Sequence, residues 1–210
     1  MTAKIIGVIQ VKGGAGRSTV STNLAGELSK HGRTVLIDCD MPQGTAASWY
    51  AVRAAVGNLS AETATTHKEL LAKVSQHQNA DYIVLDGPPR IAELTKTILI
   101  LSDLCLVPVG ASAAEIWATS DLLDLITEAS KVTTVHARMV WTRHRPHTNL
   151  AKELSLLASK EIGLPALFTS LALRVAYPQA LGEGLTVAEL QDANAKAELA
   201  SLVGEVKALL

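Results

Sequence analysis

The residues of this chain best suited to chemistry form a glycine-rich loop at positions 10–19. The loop reads Gln-Val-Lys-Gly-Gly-Ala-Gly-Arg-Ser-Thr and directly follows the apolar run Ile5–Ile9. A loop that leaves a strand and opens a helix points several backbone N–H groups into one concavity, where the helix N-terminus adds partial positive charge. Its three glycines allow close approach of the backbone, and Ser18 offers a hydroxyl to a magnesium ion. The loop therefore predicts a binding site for a polyphosphate with Mg²⁺.

The loop departs from the common phosphate-binding pattern G-x-x-x-x-G-K-[ST] at three positions. Val11 stands where the first glycine would be, Arg17 replaces the lysine, and an additional lysine, Lys12, opens the loop. Arginine keeps the positive charge, but its planar fork is bulkier than an ammonium group. Two outcomes stay open: Arg17 impairs the in-line geometry of phosphoryl transfer while phosphate binding survives, or the loop has adapted around the guanidinium. The residues expected to contact the phosphates are Lys12, Gly13, Gly14, Ala15, Gly16, Arg17, Ser18 and Thr19.

Two apolar strands are predicted to end in carboxylates close to this loop. Asp38 and Asp40 follow the run Val35–Ile37, and Asp86 follows the run Tyr82–Leu85. Strand alternation puts Asp38 and Asp40 on the same side. Magnesium is usually held by one or two carboxylates together with phosphate oxygens and water. We therefore expect Ser18, Asp38 and Asp86 at the metal, although a strand-end aspartate can also be a solvated terminus or a helix cap.

Apolar runs alternate with helical patterns along the whole chain, with glycine or proline at most joints. The predicted strands are Lys4–Gln10, Thr34–Asp38, Tyr82–Asp86, Leu104–Val109, Ala137–Trp141 and a shorter one near Ala166–Thr169. The predicted helices are Ser18–His31, Thr45–Val56, His67–His77, Ile91–Ser102, Ala114–Lys131, Asn149–Ile162 and a final one at about Val187–Leu210. This order predicts an α/β fold, a doubly wound and mostly parallel sheet with helices on both faces. The functional loops then lie at the carboxyl edge of the strands, within a single domain spanning residues 1–210.

Composition narrows the class of protein further. Hydrophobic residues make up 48% of the chain and aromatic residues only 3%, so the core must be mainly aliphatic, as in a buried parallel sheet. The net charge of −1 means that any anionic partner must meet a local patch. Cys39 and Cys105 lie in strand-like runs and are interpreted as core thiols. No signal peptide or membrane-length apolar stretch is recognised, so a cytoplasmic protein is expected.

The loop resembles the deviant Walker A motif, Lys-Gly-Gly-x-Gly-Lys-[Ser/Thr], of the ParA/MinD ATPases. Four further segments carry the same resemblance, namely residues 38–45, 81–87, 139–143 and 174–189. They are similar, in that order, to the family's Asp-x-Asp-Pro-Gln-Gly segment, its Walker B strand, the strand bordering the adenine and its C-terminal motif. The resemblance implies a P-loop NTPase fold, ATP and Mg²⁺ as ligands, and hydrolysis to ADP and phosphate. It also implies that Thr142 and Arg143 border the adenine. Within the family, the chain looks most like the small ParF-type members.

The resemblance also implies catalytic roles. Lys12 corresponds to the family's signature lysine, which crosses an ATP-dependent dimer interface to the partner subunit's phosphates; a solvated loop lysine is the alternative. Met41 lies where the family runs directly from aspartate to proline. Counting back from the proline puts Cys39 and Met41 on the family's aspartates, whereas the Asp-x-Asp pattern keeps Asp38 and Asp40. We prefer the second alignment, in which Asp38 reaches the magnesium shell and Asp40 orients or activates the attacking water.

ParA-like proteins bind DNA without sequence preference through cations that reach phosphates. The most basic stretch is residues 143–147 with Lys152, and Arg174 adds a further cation. The candidates for DNA contact are accordingly Arg143, Arg145, Lys152 and Arg174, with a merely solvated basic turn as the alternative. His144 and His147 have no third metal ligand nearby in sequence. The partners implied are a second copy of the chain, nucleoid DNA and an adaptor protein, with a plasmid or a protein organelle such as a carboxysome as cargo.

Two other functional classes remain open at the level of sequence. A MinD-like ATPase that cycles on membranes would need a basic amphipathic C-terminal helix. The final helix balances Lys196 and Lys207 against Glu198 and Glu205, so no membrane partner is expected. A metabolic enzyme on the same fold would need extra substrate loops or interface cysteines, neither of which is recognisable.

Overall fold

Seven parallel strands make one sheet in the computed structural model, which describes residues 2–54, 57–89, 92–145 and 148–210. The spatial order is β3-β2-β4-β1-β5-β6-β7. The strands are β1 Lys4–Val8, β2 Thr34–Asp38, β3 Leu59–Thr63, β4 Tyr82–Asp86, β5 Leu104–Gly110, β6 Ala137–His144 and β7 Ala166–Ala172. Residue pairing is in register between β1, β2 and β4, with Val8 and Asp38 both opposite Asp86. The strands that end in the predicted functional residues are therefore neighbours at the centre of the sheet.

Helices connect the strands and cover both faces of the sheet. They are α1 Arg17–Leu28, α2 Thr45–Val52, α3 His67–Gln76, α4 Ala92–Leu101, α5 Ala113–Trp117, α6 Ser120–Ala129, α7 Asn149–Glu161, α8 Ala176–Gly182 and α9 Ala193–Leu209. A short 3₁₀ turn, Val187–Glu189, precedes α9. No helix in the described ranges is long and apolar enough to cross a membrane.

Alternation along each strand divides the core into two clusters, one on each face. On β2, Val35 and Ile37 belong to the first cluster, which is completed by residues of α3, α4, α6 and α7. Leu36 belongs to the second cluster, with Leu24 of α1, Trp49 of α2 and residues of α8 and α9. Strands buried on both faces explain the continuous aliphatic runs of the sequence. The parallel α/β fold predicted from those runs is confirmed.

The structure differs from the sequence-based prediction in several elements. Strand β3 and helix α8 were not predicted. The helix expected over Ala114–Lys131 is two helices, α5 and α6, separated by a turn at residues 118–119. Buried Thr119 in this turn accepts a hydrogen bond from Gln10 Nε2 at 3.1 Å. The final helix begins only at Ala193, because the Asp192 side chain caps it by accepting from two backbone N–H groups.

Five residues belonging to predicted features lie outside the described residues. They are Ala55 and Val56, at the end of one predicted helix, Ile91, at the start of another, and Pro146 and His147, in the basic stretch. Elsewhere the predicted and observed bounds differ by a few residues at element ends. Strand β6, for example, continues past the predicted Trp141 to His144, which brings Thr142 and Arg143 into the sheet.

Candidate nucleotide-binding site

The glycine-rich loop joins β1 to α1 in a conformation that depends on glycine. Gly14 and Gly16 have φ values of 76° and 97°, in the left-handed region that other residues adopt only with strain. Gly16 also precedes the first residue of α1, so the N-terminal end of that helix faces the loop. A Cβ atom built at Gly13 or Gly14 would meet nothing within 4 Å. The loop is therefore open on the side where an anion would sit.

Arg17 lies beneath the loop rather than extending into the open space. Its side chain is buried, and Nη1 donates to the carbonyl oxygens of Gln10 and Lys12 at 2.6 and 2.7 Å. Nη2 lies 3.2 Å from Asp40 Oδ2, while Nε is buried without a hydrogen-bond partner. The guanidinium thus joins both ends of the loop to the carboxylate that follows β2.

Asp86, at the end of β4, binds two hydroxyl groups of α1. Its Oδ2 accepts from Ser18 Oγ at 2.7 Å and its Oδ1 from Ser21 Oγ at 2.8 Å. The pKa of this carboxyl is raised to about 7, chiefly by complete burial and also by the nearby charge of Asp38, which outweigh the hydrogen bonds from both serines and the charge of Arg17. A carboxyl kept neutral by burial would ionise readily beside a bound cation.

Asp40 lies at the loop and Asp38 lies beside Asp86, whereas the residue between them packs into the core. Asp38 accepts from the backbone N–H groups of Asp40 and Ala47 at 2.9 Å each, and so fixes the turn leading to α2. Cys39 is buried in the first core cluster, and burial raises the pKa of its thiol. Met41 is partly exposed. These positions favour the Asp-x-Asp alignment over the one that uses Cys39 and Met41.

A cavity of about 510 Å³ lies over the loop. It is lined by Gly13, Gly14, Gly16, Arg17, Ser18, Thr19, Asp40, Gln43, Thr45, Pro89 and Leu181. Lys12 stands beside these residues; its side chain is half-buried and makes no ion pair or hydrogen bond within the described ranges. The combination of loop glycines, hydroxyls and a free cation suits a polyphosphate.

A second, mostly apolar cavity of about 250 Å³ adjoins the first and shares Gly14, Gly16, Thr19 and Leu181 with it. Its remaining lining is Thr142, Arg143, Leu171, Ala172, Leu173, Arg174, Tyr177 and Pro178. Thr142 Oγ1 donates to the carbonyl of Ala15 at 2.8 Å, which ties the end of β6 to the loop. A flat apolar ring attached to a phosphate chain fits this pair of cavities.

The four cations predicted to contact DNA lie in two different environments. Arg143 is paired with Glu115, and Arg174 donates through Nε and Nη2 to Glu198 at 2.9 and 2.7 Å. Arg145 and Lys152 are exposed and have no carboxylate partner in the part of the chain that is described. Two of the four candidate cations are therefore paired with carboxylates, and the other two are not.

Several lining residues were not identified from sequence. Gln43 and Thr45 fall within a segment that carried the family resemblance, and Tyr177 lies in another, so a motif-based signal existed for these. Ser21 lies one helical turn beyond Ser18, a spacing that places both hydroxyls on one face of α1. The leucines and the proline that line the second cavity could not be recognised from the sequence, because such residues also occur throughout protein cores.

The oxygen donors at the loop fit a magnesium ion. Ser18 Oγ and Asp86 lie in direct contact, and Asp38 is close enough for its charge to act on Asp86. No group of three or more His, Cys, Asp or Glu side chains suited to a metal occurs among the described residues. A site with so few protein ligands suits Mg²⁺, which keeps waters and phosphate oxygens in its shell.

A parallel sheet with a deviant glycine-rich loop and two acidic strand ends defines a P-loop ATPase, and the chain belongs to the ParA/MinD-type ATPases. The family model AAA_31, described as an AAA domain, matches residues 3–67. ATP and Mg²⁺ are the nucleotide and metal of this class.

Named relatives match the chain over most of its length. It is 28% identical over 207 residues to maintenance of carboxysome distribution protein A of Halothiobacillus neapolitanus, covering 96% of this chain and 95% of that protein. It is 30% identical over 169 residues to the sporulation initiation inhibitor protein Soj of Bacillus subtilis, covering 61% and 66%. The solved ATP complex of a Cyanothece McdA variant superposes with a TM-score of 0.81 at 16% identity, covering 98% and 97%.

Proposed function

We propose that this chain is a positioning ATPase that dimerises on ATP, binds DNA without sequence preference and distributes a cargo through an adaptor protein. The observation that carries the proposal is Lys12, a half-buried lysine without a partner beside the open phosphate cavity. A lysine there is not needed to cradle phosphates within one chain, because the backbone and Arg17 already supply donors and charge. It suits phosphates that belong to a second copy of the chain.

The two adjoining cavities suggest how a nucleotide lies in the proposed site. The phosphates occupy the cavity over Gly13–Ser18, and the base occupies the apolar cavity between Thr142 and Pro178. Magnesium neutralises charge on the phosphates when bound there. Ser18 and Asp86 would hold it, with Asp38 nearby, and all three belong to the one domain that we assign to residues 1–210.

Hydrolysis in this arrangement depends on Asp40. Its carboxylate lines the phosphate cavity and is engaged by Arg17. Once the guanidinium turns to phosphate, Asp40 is free to orient an attacking water. Lys12 of the second copy then stabilises the charge that develops on the transferred phosphoryl group.

The exposed cations Arg145 and Lys152 are proposed as the DNA contacts. Arg143 and Arg174 line the base cavity and face Glu115 and Glu198, so we assign them to the nucleotide. The similarity to carboxysome distribution protein A over 96% of the chain supports a protein organelle as cargo, and a plasmid is the second candidate. A nucleoid-associated location follows from the DNA contacts.

A membrane-cycling role is disfavoured by the packing of α9. Its apolar residues, among them Leu199, Leu202 and Val206, are buried in the second core cluster. Its two glutamates are also engaged, since Glu198 accepts from Arg174 and Glu205 accepts from the N–H groups of Phe168 and Thr169. The apolar face of this helix is thus used inside the fold and is not presented to lipid.

Co-sedimentation with DNA and with liposomes of anionic lipid, each with ATP, ADP and no nucleotide, tests the proposal. The expected result is ATP-dependent sedimentation with DNA of unrelated sequences and none with liposomes. Binding to liposomes, or ATP-independent binding to one DNA sequence, would contradict it.

A further inference from the structure

The end of β6 has an unusual backbone conformation. Arg143 has a φ of 51° and is the one non-glycine residue with positive φ in the described ranges. A residue with a Cβ atom adopts this conformation only when its surroundings hold it there, and such strain is concentrated at ligand sites. What holds Arg143 is therefore relevant to the adjoining nucleotide cavity.

Glu115 of α5 holds the Arg143 side chain. Its Oε1 lies 2.5 Å from Arg143 Nη2, and its Oε2 accepts from the backbone N–H of Gly110 at 2.8 Å. The Glu115 side chain is only 13% exposed. Ser112 caps the N-terminus of α5 by accepting from the Glu115 N–H, which sets the direction of that helix. Both carboxylate oxygens of Glu115 and its backbone N–H therefore have partners that hold the residue in place.

The pair packs closely against Gly110, at the end of β5. A Cβ atom at Gly110 would overlap both Glu115 Oε2 and Arg143 Nη2. The strand end thus bounds the Arg143 side chain on one side, while 46% of that side chain remains exposed.

Arg143 is a wall between two cavities. It lines the apolar base cavity of about 250 Å³ and also a neighbouring cavity of about 440 Å³. Glu115 lines only the neighbouring cavity, so it would not touch a base in the first. Any effect of Glu115 on a nucleotide must therefore pass through Arg143.

We propose that Glu115 is a positioning residue that fixes Arg143 as the wall of the base cavity and thereby sets the affinity for the base end of the nucleotide. This inference rests on the proposed function, in which the base occupies that cavity. Without the ion pair, the strained backbone at Arg143 relaxes and the wall moves. The phosphate cavity, which neither residue lines, is unaffected.

The test compares ATP with inorganic tripolyphosphate, which carries the phosphates but no base. Glu115→Gln removes the charge that holds Arg143 while its amide oxygen still accepts from Gly110. We expect calorimetry to show ATP binding weakened roughly tenfold and tripolyphosphate binding unchanged. In steady-state assays, KM for ATP rises and kcat stays the same. The matched control is Glu128→Gln, which breaks the exposed pair with Lys96 and should change neither ligand.

A double variant separates positioning from general damage. If Glu115 acts through Arg143, Glu115→Gln combined with Arg143→Gln binds ATP no more weakly than Arg143→Gln alone. Additive losses, or equal weakening of ATP and tripolyphosphate, overturn the inference. Unchanged ATP binding by Glu115→Gln overturns it as well and leaves the proposed function standing. If the unmodified chain binds neither ligand, the proposed function fails and the inference fails with it.

Discussion

Arg17 Nη2 lies 3.2 Å from Asp40 Oδ2, so the cation of the phosphate loop is bound to the carboxylate that is expected to orient water. Both side chains are largely buried, at 7% and 14% exposure. Two loop carbonyls accept from the same guanidinium. Phosphate must therefore compete for Arg17 with three partners within the chain, which gives the unusual arginine a physical consequence for catalysis.

We expect Arg17→Lys to raise the rate of ATP hydrolysis and to leave ATP affinity within a few-fold. An ammonium group sits more easily between phosphate oxygens and cannot keep the fork-shaped contacts to Gln10, Lys12 and Asp40. Steady-state ATPase assays with saturating DNA and Mg²⁺ measure the effect. A rate equal to or below that of the parent would mean that Arg17 is a fully competent loop cation.

The contacts of Arg17 illustrate what sequence can and cannot predict. The glycine-rich loop and the acidic strand ends follow from residue type and spacing, and aliphatic runs of this length predict a buried parallel sheet. The binding of Arg17 to Asp40, 23 positions further along, depends on side-chain direction and could not be predicted. Strand β3 was missed because it lies at the sheet edge, only partly buried, and lacks a regular apolar pattern. Helix α8 was missed because it is short and contains Pro178.

Lys12→Ala should abolish ATP-dependent dimerisation while the monomer still binds ATP. The reason is that Lys12 has no partner within its own described chain and lies beside the phosphate cavity. Light scattering with and without ATP measures the change, with the exposed Lys68→Ala on α3 as control. If Lys12→Ala dimerises as well as the parent, Lys12 is not an interface residue.

Replacing Arg145 and Lys152 by alanine together should weaken DNA binding equally for unrelated sequences. Each lost phosphate contact lowers the slope of log affinity against log salt by about 1. The matched control replaces Arg33 and Lys131, two exposed cations at the amino edge of the sheet, and should leave affinity unchanged. If both double variants lost DNA affinity equally, the loss would come from the change in net charge and not from phosphate contacts of Arg145 and Lys152.

Asp86 makes the stability of the nucleotide-free and magnesium-free chain depend on pH. Its pKa is raised to about 7, whereas an unfolded aspartate ionises near about 4. Between these values the folded state holds the extra proton, so the free energy of unfolding falls as pH rises through this window and levels off above it. The Asp86→Asn variant should therefore have a larger free energy of unfolding than the parent at pH 8, on the order of 4 kcal/mol, and the gap should shrink toward pH 5. Denaturant unfolding of both proteins at pH 5 and pH 8 measures this gap. If the difference in free energy of unfolding does not depend on pH, the pKa of Asp86 is not raised by folding.

Calorimetric titration of the intact chain with ATP and Mg²⁺ tests the central claim most directly. Gly14→Val is the informative variant, because φ is 76° there and the new side chain would occupy the open phosphate cavity. Gly204→Ala, at an open position on α9, is the control. We predict saturable binding of one nucleotide per chain, retained by Gly204→Ala and reduced at least about tenfold by Gly14→Val. No heat for the intact chain at concentrations well above micromolar, or equal binding by Gly14→Val, would contradict a nucleotide site at this loop.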